Sequence, residues 1–483
     1  VTKLKFLLLA IFAGLVIGFA FYGWSNLYAK YLETSAPVIV FGDGQPRGIG
    51  LTPVTVHLEL SDWGAGLDEV VARVHQRGLT KEVLRQALKG QPRSTVSFEI
   101  AGERLGLDEG EVTLEIKAFD RSFWSNSSQK TLELRVDYRK PRLEVVSVMH
   151  NTRRGGAQLL IYKAIDESLA LSGVRVGSQT FIGFPASGLD EEFEDKSLFA
   201  VLYSVPVKEG EDPEMRVFAQ DAVGNGNSTN FSYRLLSRST RQLSVKVGDD
   251  FLRGPVAMTA DGAFPRLKAL ARASGEPFGY RSVSGSDGEL YEKLMLVLNR
   301  VVPLSDRDLA GQISKQNRLE RSWRSPFLQP NGVALSGFGD QVTYRGDWVD
   351  SPSVLQTGFE FQISKQNPAV YAAADGVVSF VGEIGSYGRL VVLDHGLGLS
   401  SVYARLDTVS VREGNAINAG EEIGKAGRSG LSRTLNLFFE VRVQGVATDP
   451  REWWDRSWFE GHINDAIANA KRSLGITAAV PLE

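Results

Sequence analysis

The stretch Tyr371-Ala-Ala-Ala-Asp-Gly-Val-Val-Ser-Phe-Val-Gly382 is followed closely by Gly388-Arg-Leu-Val-Val-Leu-Asp-His-Gly396, then by Val411-Arg-Glu-Gly414 and Ile423-Gly-Lys-Ala-Gly427. Glycines cut β-branched, apolar runs into short pieces, the punctuation of an all-β domain with tight turns. Around it lies a chain of 483 residues, room for about three domains. With 54 basic and 57 acidic residues the net charge is −3, which gives no electrostatic reason to expect nucleic-acid binding. Cysteine is absent and histidine occurs five times, at 57, 75, 150, 395 and 462. Disulfides, thiolate metal sites and cysteine nucleophiles are therefore excluded, and any acid–base or metal site must use those histidines and carboxylates.

The 326–456 segment resembles the LytM-type (lysostaphin-like) zinc metallopeptidases of peptidoglycan. Phe338-Gly-Asp340 is similar to the family's opening turn, and Pro368-Ala-Val-Tyr-Ala-Ala-Ala-Asp-Gly-Val-Val378 to its Pro-Val-x-Ala-x-x-x-Gly-x-Val strand. Gly385 to Gly396, Ser401-Val-Tyr-Ala-Arg-Leu406 and Leu435-Asn-Leu-Phe-Phe-Glu-Val-Arg-Val-Gln-Gly445 follow in the family's order. The resemblance implies zinc held by the His and Asp of His-x-Gly-x-Asp and by the second His of His-x-His. Aligned on Gly358, those positions hold Gln356, Glu360 and Phe438, while the family's catalytic imidazole positions hold Arg405 and Asn436. A zinc site needs three or four N, O or S ligands, and an arginine with a pKa above 12 cannot serve as a base. A pseudoenzyme without catalytic residues, metal or cofactor is expected. His395, in the Asp-His-Gly turn, reads as a structural histidine.

The groove that remains has candidate ligand contacts in Tyr344, Trp348, Tyr387, Tyr403, Arg405 and Asn436, since aromatic rings with a few polar groups suit peptides or glycans. The competing reading packs those rings into the β core.

Upstream, Phe6 to Trp24 is an uncharged run of about 19 residues behind Lys3 and Lys5. It reads as a signal anchor at about 6–24, with the amino terminus cytoplasmic; a cleaved signal peptide is the alternative. Ala10, Gly14 and Gly18 share one face and offer a homodimer contact. From about 36 to 236, alternating strands recur in two copies. Ala118-Phe-Asp120 with Asn126 returns as Ala219-Gln-Asp221 with Asn225, and Asp62 returns as Asp166, offsets of about 100 residues that fit immunoglobulin-sized units. The Asp and Asn residues invite a calcium reading, but each cluster shows too few carboxylates for a full shell, and Asx turns are the simpler account. Residues 238–325 carry helical periodicity at 264–273, 290–300 and 306–323. The hexapeptide Gln312–Asn317 recurs at Gln362–Asn367 in a different context.

The expected fold is thus mainly β: an N-terminal transmembrane helix, two immunoglobulin-like sandwiches, a helical connecting region and a LytM-like domain. The boundaries are 1–35, 36–140, 141–237, 238–325, 326–456 and a helical tail at 457–483. The expected function is that of a single-pass protein of the bacterial inner membrane whose bulk is periplasmic or extracytoplasmic, binding peptidoglycan or a cell-wall hydrolase. The resemblance adds that degenerate members of the family include amidase activators. The alternatives are a residual zinc endopeptidase and a structural scaffold acting through the repeats.

Overall fold

The computed structural model describes residues 2–476 except 28–30, 32, 149, 208–212, 276–286, 317 and 347–350. Two compact units emerge. The first comprises Val1–Pro141, Glu167–Ala170 and Gln220–Asn227, and the second the remainder.

In the first unit a helix, Thr2–Leu27, precedes a β region. The anchor expected at 6–24 is not supported: among the described residues no helix is long and apolar enough to cross a membrane. The single-pass inner-membrane placement and the membrane partnership rested on that anchor and are withdrawn with it. So is the bilayer-borne dimer through Ala10, Gly14 and Gly18.

The β region closes two sheets on one core. Val38–Phe41, Val54–Ser61 and Arg93–Ile100 form a three-stranded sheet, and five strands between Gly48 and Val136 form the other. Alternation decides the inward faces: Val56, Leu58 and Leu60 on one sheet meet Leu114, Ile116 and Ala118 from the other. The Asx turns are visible at Asp120, whose Oδ1 accepts from the Ser122 amide at 3.2 Å.

In the second unit, strands between Arg142 and Asn230 build two four-stranded sheets. Three helices follow, Ala257–Ser274, Asp287–Leu296 and Val302–Ile313. The third begins earlier and ends sooner than its periodicity suggests. Beyond Ile313 the chain runs irregularly, placing Trp323 and Phe327 in an aromatic cluster with Trp453, Phe459 and His395. Burying two large rings outweighs a further turn of exposed helix.

The C-terminal β domain is an eight-stranded antiparallel sheet. Seven strands run from Val333–Ser336 through Phe359–Gln362, Asn436–Val443, Leu399–Ala404, Gly388–Gly396 and Gly376–Ile384 to Ala416–Ile417, and the eighth, Val446–Thr448, pairs with Asn436–Val443. Asn436–Val443 and Leu399–Ala404 are buried at every position, including the polar Asn436, Glu440, Arg442, Ser400 and Ser401. Gly388 and Gly430, at φ +65° and +62°, let two loops touch where any Cβ would collide. The helix Asp465–Ser473 docks on the strands of residues 142–230: Lys471 lies 2.8 Å from Asp190. The side-chain amide of Gln444 bonds both backbone groups of Ile182, each at 2.8 Å.

Candidate functional site

Pairing of Phe359–Gln362 with Asn436–Val443 sets Glu360 opposite Phe438 and Gln362 opposite Asn436. Ala404 lies opposite Phe438 on the other side, so Arg405 emerges at the end of its strand beside the same residues. Arg405 has φ +68°, a left-handed conformation that costs a non-glycine residue roughly 1–2 kcal/mol. Its amide donates to Tyr387 O at 2.9 Å, which fixes the turn.

Glu360, Arg405 and Asn436 meet. Asn436 Nδ2 donates to Glu360 Oε1 at 2.6 Å, and Arg405 Nη1 stands 3.1 Å from the same oxygen. Arg433 approaches to 3.9 Å, and Ser432 Oγ donates to Asn436 Oδ1 at 3.0 Å. The Arg405 guanidinium also lies 4.9 Å above the Phe438 ring, a cation–π contact in a dry setting. Glu360 is 4% exposed, Arg405 7% and Asn436 0%. The ion pair is close but poorly directed, because Arg405 Nε and Nη1 complete no hydrogen bond.

Of the other sequence candidates, Gln356, Tyr344 and Tyr387 line one cavity with Arg405 and Phe438. Gln356 donates there to Ser336 Oγ at 3.0 Å. Tyr344 stacks on Phe251 at 5.8 Å, inside the core of the helical region. Tyr403 is buried, its hydroxyl accepting from the Ala373 amide at 2.6 Å; burial pushes its pKa up to about 12. Trp348 lies outside the described residues. Tyr387 faces Phe438 at 5.8 Å, and its hydroxyl joins a second buried network. There Arg442 donates to Tyr387 at 2.7 Å, to Glu440 at 2.7 Å and to Asp306 at 2.6 Å. Burial pushes the Tyr387 hydroxyl well above its ordinary pKa, with Arg442 opposing.

That second network was missed in the sequence. Asp306 belongs to the helix Val302–Ile313, so the network fastens the helix to the sheet. Leu309 and Ile313 of the same helix pack on Tyr387 and Phe438. The cleft beneath is reduced to a cavity of about 70 Å³, lined by Leu298, Val302 and Asp306 together with Tyr344, Arg405 and Phe438.

His395 is fully buried, with Nδ1 2.6 Å from Asp375 O and Nε2 2.8 Å from Ser401 Oγ. Both ring nitrogens are engaged in holding strands together. Among the described residues, no three His, Cys, Asp or Glu side chains gather as a metal-holding set. A carboxylate already bonded to an amide and a guanidinium beside a phenyl ring does not fit zinc, which needs an accessible set of ligands and a place for water.

Residues 355–450 match the model described as peptidase family M23. The C-terminal domain is an M23-family domain. The M23 domain is 38% identical over 96 residues to the DD-carboxypeptidase/endopeptidase Mpg of Neisseria meningitidis serogroup B, covering 20% of this chain and 22% of that protein. It is 36% identical over 130 residues to the murein hydrolase activator EnvC of Escherichia coli K12, covering 27% of this chain and 29% of EnvC. A crystal structure of a putative peptidase M23 from Pseudomonas aeruginosa aligns with 63% of this chain and 95% of that one, at 15% identity and a TM-score of 0.33. The chain thus spans less than a third of the length of these two curated relatives.

Proposed function

We propose that this chain is a non-catalytic M23-type protein of the cell envelope, whose C-terminal domain binds peptidoglycan or a murein hydrolase. One observation carries the reading. Where an M23 hydrolase needs metal ligands and imidazoles, this chain has Glu360, Asn436 and Arg405 bonded to one another and buried. With Glu360 engaged by an amide and a guanidinium, the site offers no base to activate water and no vacancy for a dication. Similarity to a murein hydrolase activator supports a binding role, and similarity to an endopeptidase supports a shared substrate surface.

The binding surface in this proposal is the old cleft around Tyr387, Arg405 and Asn436. Engagement there requires the helix Val302–Ile313 to give way, because Leu309, Ile313 and Asp306 occupy its mouth. Release of dye from labelled sacculi tests the reading. The protein alone should release none, and should increase release by an added murein amidase. Asp306→Asn with Leu309→Ser, which loosens the helix, should increase that effect further. Release by the protein alone, abolished by a chelator, would instead establish a zinc endopeptidase.

A further inference from the structure

A cleft of about 740 Å³ opens in the second unit between the helical region and the M23 domain. One wall is helical, and Phe251, Met258, Val301 and Leu304 line it. The other is built from the M23 loops at 383–389 and 428–433, which bring Arg389, Arg428 and Arg433. This cleft shares no lining residue with the small cavity at Arg405.

The two walls differ in chemistry. On the helical wall Arg266 is neutralised by a two-armed pair with Asp308, one arm at 2.7 Å. What that wall offers is therefore apolar. Met258 stands 75% exposed there, and methionine is the adaptable residue of peptide-binding surfaces. On the M23 wall Arg389 is held by Glu383 at 3.1 Å. Arg433 lies 3.9 Å from Glu360, whose oxygen already has Arg405 at 3.1 Å. Arg428 is exposed and pairs with no carboxylate among the described residues. Two guanidinium groups, Arg428 and Arg433, thus stand against Asp250, the one lining carboxylate outside these pairs.

The loop that carries them is fixed in advance. Ser429 Oγ accepts from the Arg389 amide at 3.0 Å and donates to Leu406 O at 2.8 Å, and the Leu431 amide donates to Ser386 O at 2.9 Å. A preorganised loop lowers the ordering cost of binding.

We infer that this cleft is a docking site for an acidic amphipathic helix of a partner protein, its apolar face on Met258 and Phe251 and its carboxylates toward Arg428 and Arg433. The volume is that of a site enclosing a ligand segment. An apolar and a cationic wall bound one cleft, and an amphipathic helix is the element that offers an apolar and a charged face at once. Guanidinium groups pair with carboxylates through two parallel hydrogen bonds. A bare glycan strand brings neither carboxylates for the arginines nor an apolar side chain for Met258. The surface lies outside the old cleft, so it does not depend on the binding surface proposed above.

Fluorescence anisotropy with the full chain tests this. The probe is a fluorescein-labelled helical peptide of about 14 residues, leucine on one face and glutamate on the other. One saturable site of micromolar affinity is expected, weakened about tenfold between roughly 50 and 500 mM salt. The same peptide with glutamine for glutamate should bind about tenfold more weakly. Arg428→Glu and Met258→Asp, both at exposed positions, should each weaken binding by about tenfold with an unchanged melting temperature. Arg412→Glu, an equal charge change outside the cleft, should leave binding as it is. The inference is overturned if the wild type binds the glutamate peptide without saturation or not at all, or binds the glutamine peptide equally well. Wild-type affinity in Arg428→Glu and Met258→Asp also overturns it, since the peptide then sits elsewhere. Tighter binding of soluble muropeptides, lost in those two variants, would overturn it by assigning the cleft to the cell wall, and self-association lost in them would do so by assigning it to a second copy of this chain. No sacculus or amidase enters the assay, so its failure leaves the proposed murein role standing.

Discussion

Arg405 Nη1 stands 3.1 Å from Glu360 Oε1, so a guanidinium lies beside a carboxylate that is buried with it. Arg405→Met should leave Glu360 buried without its cation and destabilise the domain by about 3–5 kcal/mol. Glu360→Gln combined with Arg405→Met should restore most of that loss. Urea midpoints followed by tryptophan fluorescence measure both; equal losses in the single and double variants would show that the pair is uncoupled.

Zinc content is the second test. After dialysis against micromolar zinc, the protein should retain no stoichiometric zinc by elemental analysis. About one zinc per chain, lost in Glu360→Ala, would overturn the non-catalytic reading.

His395 should remain neutral in the folded protein down to about pH 4, because burial pushes its pKa down to about 4. Its ordinary value is 6.5, so the unfolded chain takes up a proton first as the pH falls. The stability attached to this group is therefore complete above pH 6.5 and lost progressively between 6.5 and 4. With five histidines in the chain, imidazole proton resonances followed against pH resolve the question. A His395 titration near 6.5 would mean that the Asp375–His395–Ser401 chain opens.

Glu452 has the opposite sign. Its residue is only partly buried, but its carboxyl end points inward and accepts from the Ala157 amide at 2.7 Å. Burial pushes its pKa up to about 8, from 4.5. The contribution is present below pH 4.5 and lost as the pH rises toward 8, since the unfolded chain releases its proton first. Glu452→Gln keeps an acceptor for Ala157 and should flatten the fall in urea midpoint between pH 5 and 8. An unchanged slope would assign that fall to other groups.

The M23 domain was legible because its glycines and alternating strands are local signals, and because Gln356, Glu360, Arg405, Asn436 and Phe438 stand at fixed offsets from them. Their mutual contacts were not legible. Asn436 reaches Glu360 across 76 positions and Arg442 reaches Asp306 across 136, distances at which sequence carries no pairing signal. Tyr344 lines the cavity beside Arg405 and also belongs to the helical core, two settings that sequence alone does not separate. The helix over the cleft was hidden for a related reason: periodicity locates an apolar face but not the surface it covers. At the amino terminus, hydropathy alone suggested more than the described helix supports.

The amide of Gln444 satisfies both the N–H and the C=O of Ile182, as a neighbouring strand would. A bare sheet border is an invitation to any unfolded or like chain to add itself. In this molecule one side chain of the M23 domain withdraws that invitation at Ile182. Fold integrity and resistance to self-association thus share a residue: Gln444→Leu would both weaken the join and leave a template for polymerisation.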